Sequence, residues 1–96
     1  MRPSEALAAH RAELRQLVSR HGLLRPRVFG SVTHGTDTDG SDLDLLVDAP
    51  PGTTLLRLGN LQVELESLLG GQVDLLTPGD LSPKFRARVL AEARPV

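Results

Sequence analysis

VFGSVTHGTDTDGSDLDLLVD, which runs from Val28 to Asp48, holds two short apolar segments and a polar loop between them. The first segment ends in a glycine–serine step, Gly30-Ser31, and the second begins with aspartates at 42 and 44. Side chains two apart on a β-strand point the same way, which would place the carboxylates of Asp42 and Asp44 about 6 to 7 Å apart. Two unit charges at that separation repel by about 2 to 3 kcal/mol at an effective dielectric constant of about 20, so a cation is expected between them.

A third aspartate stands in a later apolar segment. Asp74 lies within Gln72 to Leu76, where a strand designed only for packing would not carry a charge. Gly30 has no side chain, so backbone there can approach a triphosphate closely, and Ser31 can donate to phosphate oxygens if a helical turn begins there. Each part alone has an ordinary structural explanation, since Gly-Ser pairs are common in turns. The combination indicates a divalent metal ion and a nucleotide.

Length and composition favour one domain that spans residues 1–96. The 96 residues are 40% hydrophobic, the net charge is -1, and there is no cysteine. A single core is therefore possible, while a disulfide framework, a thiolate zinc site and a strongly basic nucleic-acid surface are not indicated. No apolar run approaches the roughly 20 residues that cross a bilayer, and the amino end lacks a signal pattern. We expect a cytoplasmic protein without membrane contact or direct nucleic-acid binding.

The hydrophobic periodicity predicts an α/β fold, with helices packed on a small mixed sheet in the order α-β-β-α-β-α. The first predicted helix runs from a Ser4 cap to about His21, the second runs from Leu55 to a stop at Gly70-Gly71, and the third begins at Ser82-Pro83. The predicted strands are Arg27–Phe29, Asp42–Val47 and Val73–Leu76. On the central strand Leu43, Leu45 and Val47 are expected to face the core. On the last helix Phe85, Val89 and Leu90 are expected to turn inward.

The motif resembles the nucleotidyltransferase superfamily that includes DNA polymerase β. The matching segments are Phe29-Gly30-Ser31, Gly35, Ser41 to Leu45 and Val73 to Leu76, and they are similar to those of the minimal nucleotidyltransferases, called MNT. The resemblance covers about residues 25 to 95 and implies the polymerase-β-like fold.

This resemblance also implies a catalytic site. Asp42, Asp44 and Asp74 would be catalytic and would bind two magnesium ions, with Asp74 in the general-base position, while Gly30 and Ser31 would hold the triphosphate of ATP. Two further nucleotide contacts are expected, His34 and Ser41. His34 occupies a place where the family often has a basic residue such as arginine, and a neutral imidazole gives phosphates less charge, which suggests weaker or pH-dependent activity. Ser41 is better suited to cap the turn than to contact ATP.

Family members of this size are commonly the antitoxin of a HEPN/MNT toxin–antitoxin pair. The resemblance therefore implies transfer of one or a few AMP units from ATP to a hydroxyl of a partner HEPN ribonuclease toxin, within a hetero-oligomer. Because the chain is too short to build an acceptor domain, the acceptor surface is expected to come from elsewhere. Two alternatives stay open: an antitoxin that neutralises by binding alone, and a nucleotidyltransferase acting on a small molecule.

Overall fold

The computed structural model describes residues 2–96 as helices packed on a four-stranded mixed sheet. The elements are α1 (Pro3–Arg20), β1 (Leu24–Phe29), α2 (Ser31–His34), β2 (Leu43–Asp48), α3 (Leu55–Leu69), β3 (Val73–Leu76), a 3₁₀ turn (Pro78–Asp80), α4 (Pro83–Glu92) and β4 (Arg94–Pro95). The predicted α/β class and the predicted order of the main elements are confirmed. The chain adds the short helix α2 and the two-residue strand β4, which the sequence reading did not include as elements.

The sheet places β2 at the centre of the site-bearing strands. The strand order is β3-β2-β1-β4, with β2 antiparallel to β1 and parallel to β3. In this register Asp44 lies opposite Phe29 on one side and opposite Asp74 on the other. The strand begins at Leu43, so Asp42 precedes it rather than starting it as predicted.

One apolar core joins α1, α3 and the strands. Leu43, Leu45 and Val47 are buried as predicted, and they cluster with residues of both long helices, namely Leu7, Leu14, Val18, Leu61 and Leu65. Burying each such side chain contributes about 1.5 to 3 kcal/mol to the free energy of folding. This core fixes β2, and therefore the position of Asp44 between its two neighbouring strands.

The start of α1 differs from the prediction. Ser4 was expected to be the cap, but the helix begins at Pro3, and Arg2 is the N-cap residue. The backbone N–H of Ser4 donates to Oδ2 of Asp37, at 2.9 Å, and Asp37 is buried. The hydrogen bond from Ser4 lowers the pKa of Asp37, because the bond favours the ionised carboxylate. The loop between α2 and β2 is thereby fastened to the first turn of α1.

Helix α4 is the least buried of the long elements. Ser82 caps it by accepting a hydrogen bond from the Lys84 N–H, at 3.4 Å, and none of its residues is buried. Phe85 is 51% exposed and Leu90 is 40% exposed, so the prediction that both turn inward is wrong. Val89 is partly buried. Within residues 2–96 no helix has the length and apolar character needed to cross a membrane.

Candidate active site

The carboxyl groups of Asp44 and Asp74 lie side by side on neighbouring parallel strands. The two residues are paired in the β2–β3 register, and their side chains are within hydrogen-bonding range of each other. Two carboxyl groups can share such a bond only if one of them holds a proton. The pKa of Asp44 is raised to about 6, first by burial, then by the hydrogen bond with Asp74 and by the charges of Asp74 and Asp42. A cation bound between the two carboxylates would compete with that proton.

Asp42 stands at the rim of this pair. It is exposed and lies just before β2, close enough for its charge to raise the pKa of Asp44. Across the part of the chain that the structure describes, no three His, Cys, Asp or Glu side chains converge as a group that could hold a metal ion. The fold therefore brings two of the three predicted carboxylates together and leaves the third at the edge of the site. The donors are all carboxylate oxygens, which is the chemistry that magnesium prefers.

Gly30 makes room for Asp44. Its φ is +75°, and a Cβ built on it would overlap Oδ2 of Asp44 and lie 3.3 Å from Cγ. The Gly30 carbonyl accepts hydrogen bonds from the His34 N–H, at 3.2 Å, and from the Thr33 hydroxyl, at 2.8 Å. A helical turn does begin at Ser31, which was the condition for Ser31 to donate to phosphate oxygens. A glycine is needed here both for the backbone angle and for the close approach of the carboxylate.

His34 ends α2 and contacts α4. Its Nε2 lies 3.1 Å from Oε2 of Glu92, and Nε of Arg88 lies 3.3 Å from Oε1 of the same carboxylate. The hydrogen bonds from Arg88 and then from His34 lower the pKa of Glu92. The sequence reading did not identify Glu92. Its one signal was the i, i+4 spacing from Arg88 on a predicted helix, and nothing in the sequence pointed to His34 as a partner.

Ser41 closes the turn that precedes β2. Its hydroxyl oxygen accepts a hydrogen bond from the Thr38 N–H, at 2.8 Å, and its own N–H donates to the Thr38 carbonyl, at 3.0 Å. The side chain thus has the capping role that was the alternative to nucleotide binding. The predicted contact of Ser41 with a nucleotide stays a prediction.

A cavity of about 210 Å³ opens between α2 and α4, next to the glycine. Its lining residues are Phe29, Gly30, His34, Phe85, Arg88, Val89 and Glu92. A larger open groove along α1, lined by Ala12, Arg15, Gln16, Ser19 and Arg20, contains none of the predicted site residues. Of these two, the smaller cavity is the one that borders the site, because Gly30 and His34 line it.

Comparison with known proteins agrees with this geometry. The chain matches the family model described as "Nucleotidyltransferase domain" over residues 7–96. It is 40% identical over 86 residues to Protein adenylyltransferase MntA of Thermococcus cleftensis, which covers 90% of this chain and 84% of the relative. It is also 39% identical over 77 residues to a candidate protein adenylyltransferase of Methanocaldococcus jannaschii, covering 80% of this chain and 83% of that one.

Solved structures show the same fold. A structure described as a candidate minimal nucleotidyltransferase superposes with a TM-score of 0.87 and 46% identity, covering 97% of this chain and 95% of the other. A crystal structure of a toxin–antitoxin with AMP-PNP superposes with a TM-score of 0.75 at 24% identity, covering 88% of this chain and 69% of that chain. The resemblance inferred from the Gly30-Ser31 and aspartate motif is confirmed. This chain belongs to the nucleotidyltransferase domain family.

Proposed function

We propose that the chain is an adenylyltransferase antitoxin, which transfers one or a few AMP units from ATP to a hydroxyl group of a partner toxin and so neutralises it. One observation carries the proposal: the Asp44–Asp74 carboxyl pair lies directly beside the Gly30 backbone. A relative at 40% identity bears the name protein adenylyltransferase, and solved neighbours of the same fold are MntA-HepT toxin–antitoxin complexes. The partner would be a helical HEPN ribonuclease, bound in a hetero-oligomer, and residues 1–96 would act as one nucleotidyltransferase domain.

The acidic residues would hold magnesium. We assign Asp44 and Asp74 as its first ligands, and the exposed side chain of Asp42 is free to turn in from the rim. Two bound ions would acidify the acceptor hydroxyl and neutralise the charge of the departing pyrophosphate. The donor set fits this metal, because three carboxylates supply oxygen ligands and offset its charge.

The other residues would position ATP and accept the proton. Backbone N–H groups at Gly30 and Ser31 would hold the triphosphate, with His34 and Ser41 at its edge. The acceptor oxygen attacks the α-phosphorus, the bond to the bridging oxygen breaks, and pyrophosphate leaves with the electron pair. Asp74 takes the proton of the hydroxyl. Because Asp74 is exposed, a hydroxyl on another protein can reach it.

Incubation of the chain with its candidate toxin, magnesium and labelled ATP tests the proposal. Label should appear on the toxin with the wild-type chain and should be lost with the Asp42→Ala, Asp44→Ala double variant. Glu13→Gln, an acid-to-amide change on the exposed face of α1, is the matched control and should keep full transfer. Mass spectrometry of the labelled toxin would count the AMP units and locate the acceptor.

The two alternatives predict different results. If the chain neutralises by binding alone, the toxin is inhibited without label, and the double variant inhibits it as well as the wild type does. If the acceptor is a small molecule, label appears only when that molecule is present and the toxin stays unmodified. Either result would contradict the proposed transfer to a protein hydroxyl.

A further inference from the structure

Glu92 holds the side chains of His34 and Arg88 together at the mouth of the site. His34 lies 3.1 Å from one oxygen of its carboxylate, and Arg88 lies 3.3 Å from the other. One of these partners comes from α2 and the other from α4. The Glu92 carboxylate therefore bridges two helices, and the exposed fractions of its partners are 49% for the His34 side chain and 71% for the Arg88 side chain.

Helix stability does not explain the choice of glutamate at this position. Glu92 is the last residue of α4, where the partial negative charge of the helix end disfavours an acid. The pair also runs with arginine at position i and glutamate at i+4, which is the less favourable order for a helical ion pair. A lysine or alanine would serve the helix better. The Glu92 carboxylate is held in place by Arg88 and His34. The position of these two side chains next to each other then has to be explained.

Arg88 and His34 border the same cavity as Gly30. Phe29, Phe85 and Val89 form an apolar wall, and the charged groups form the rim. A nucleotide has the same two parts, because its flat base is largely apolar and its phosphates are polyanionic. An anion more highly charged than a carboxylate, placed at the Gly30 end of this cavity, would attract Arg88 more strongly than Glu92 does, and the His34 imidazole could donate a hydrogen bond to it.

We infer that Arg88, with His34, binds the phosphates of the nucleotide, and that Glu92 occupies these two side chains while no nucleotide is bound. This inference rests on the proposed function, because it assigns further contacts to the same ATP. Arg88 then supplies the charge that His34 alone lacks. Its guanidinium can offer two parallel donors to phosphate oxygens.

Isothermal titration with ATP and with adenosine, both in magnesium, tests this assignment on the full chain. Arg88→Gln should weaken ATP binding about tenfold, as expected for the loss of one hydrogen bond between charged groups. Adenosine binding should stay within about twofold, because adenosine lacks the phosphates. Glu92→Gln should tighten ATP binding several-fold, since it releases Arg88 and His34 from the carboxylate.

Two further variants and a control separate this role from a structural one. In the Arg88→Gln background, Glu92→Gln should lose most of its gain, because the two residues act through one contact. Arg88→Lys should restore part of the affinity without the planar fork. Lys84→Gln, which removes the same charge from α4 outside the cavity, should leave ATP binding unchanged.

The possible failures are distinguishable. A wild-type chain that binds no ATP would overturn the proposed function together with this inference. A wild-type chain that binds ATP while Arg88→Gln has no effect, or weakens adenosine equally, would overturn the inference alone. Weaker ATP binding by Glu92→Gln would show that Glu92 orients Arg88 and His34 for ATP, and that it does not compete with ATP for them. Thermal melts establish whether each variant is folded. If Arg88→Gln is unfolded, ATP and adenosine binding are compared in Arg88→Lys instead.

Discussion

Gly30 and Asp44 share one small volume: the Asp44 carboxylate occupies the space in which any other residue at position 30 would place its Cβ. The glycine precedes α2, and the aspartate lies on β2, opposite the last residue of β1. Gly30 and the Asp44–Asp74 pair are thus in direct contact. Changes at either residue are expected to affect the other.

Gly30→Ala should destabilise the fold and abolish transfer. The φ of +75° disfavours any residue with a side chain, and the new methyl group would collide with Oδ2 of Asp44. We expect a loss of about 2 to 3 kcal/mol in the free energy of unfolding, measured by urea denaturation. Gly40→Ala is the matched control, because no atom lies within 4 Å of its Cβ position, and it should be close to neutral. Equal losses in both variants would contradict the close approach.

The stability of the metal-free chain should fall as the pH rises through the pKa of Asp44. This pKa is raised from 3.8 to about 6, so between these values the folded chain binds a proton that the unfolded chain releases. The favourable contribution is full below the unfolded value and is lost by the time the pH has passed the folded one. Urea denaturation in chelator, from about pH 5 to about pH 7.5, measures the slope.

Asp44→Asn should remove that slope and abolish activity. The amide carries no charge beside Asp74, so the variant should be more stable than the wild type at neutral pH while transferring no AMP. Magnesium should raise the melting temperature of the wild type at neutral pH, because it binds the folded state only, and should have little effect on the variant. A variant less stable than the wild type above the Asp44 pKa would contradict the charge argument.

The start of α1 should depend on Asp37 rather than on Ser4. Asp37→Ala removes the acceptor of the Ser4 N–H and should lower the melting temperature, with Asp37→Asn in between because its amide oxygen can still accept. Ser4→Ala keeps the backbone donor and should be nearly neutral. Hydrogen exchange at the first turn of α1 would locate the effect. A larger loss from Ser4→Ala than from Asp37→Ala would restore the cap that the sequence suggested.

Gly59→Ala should stabilise the protein. Gly59 lies inside α3, is exposed, and has no atom within 4 Å of its Cβ position. Alanine is a better helix former by about 0.5 to 1 kcal/mol, which thermal or urea denaturation can resolve. Gly70→Ala is the opposing control, because Gly70 ends α3 with φ +72° and its substitution should cost about 1 kcal/mol.

Local signals explain which elements the sequence predicted well. The helix α3 and the strand β3 lie between strong chain breakers, and their predicted bounds agree with the structure to within a residue. In the structure Asp44 and Asp74 each stand one residue into their strands, although the predicted central strand began at Asp42. Parallel pairing of those strands then brings the two carboxyl groups together.

Long-range contacts explain what the sequence could not predict. The acceptor of the Ser4 N–H in the first turn of α1 is Asp37, 33 positions further along the chain, so no local pattern contained it. Strand β1 extends back to Leu24 through Pro26, a residue that argues against a strand unless its partners are known. The link between His34 and Glu92 spans 58 positions and depends on where α4 crosses the site.

The short strand β4 has a mechanical consequence for α4. Arg94 and Pro95 pair with Val28 and Arg27, and the Val96 N–H donates to the Pro26 carbonyl, at 3.0 Å. Helix α4 buries none of its residues, so it owes its position to anchors at its two ends. The pairing of β4 with β1 holds the carboxyl end of α4, where Glu92 stands, close to α2. The last two-residue strand thus determines how closely Glu92 approaches His34.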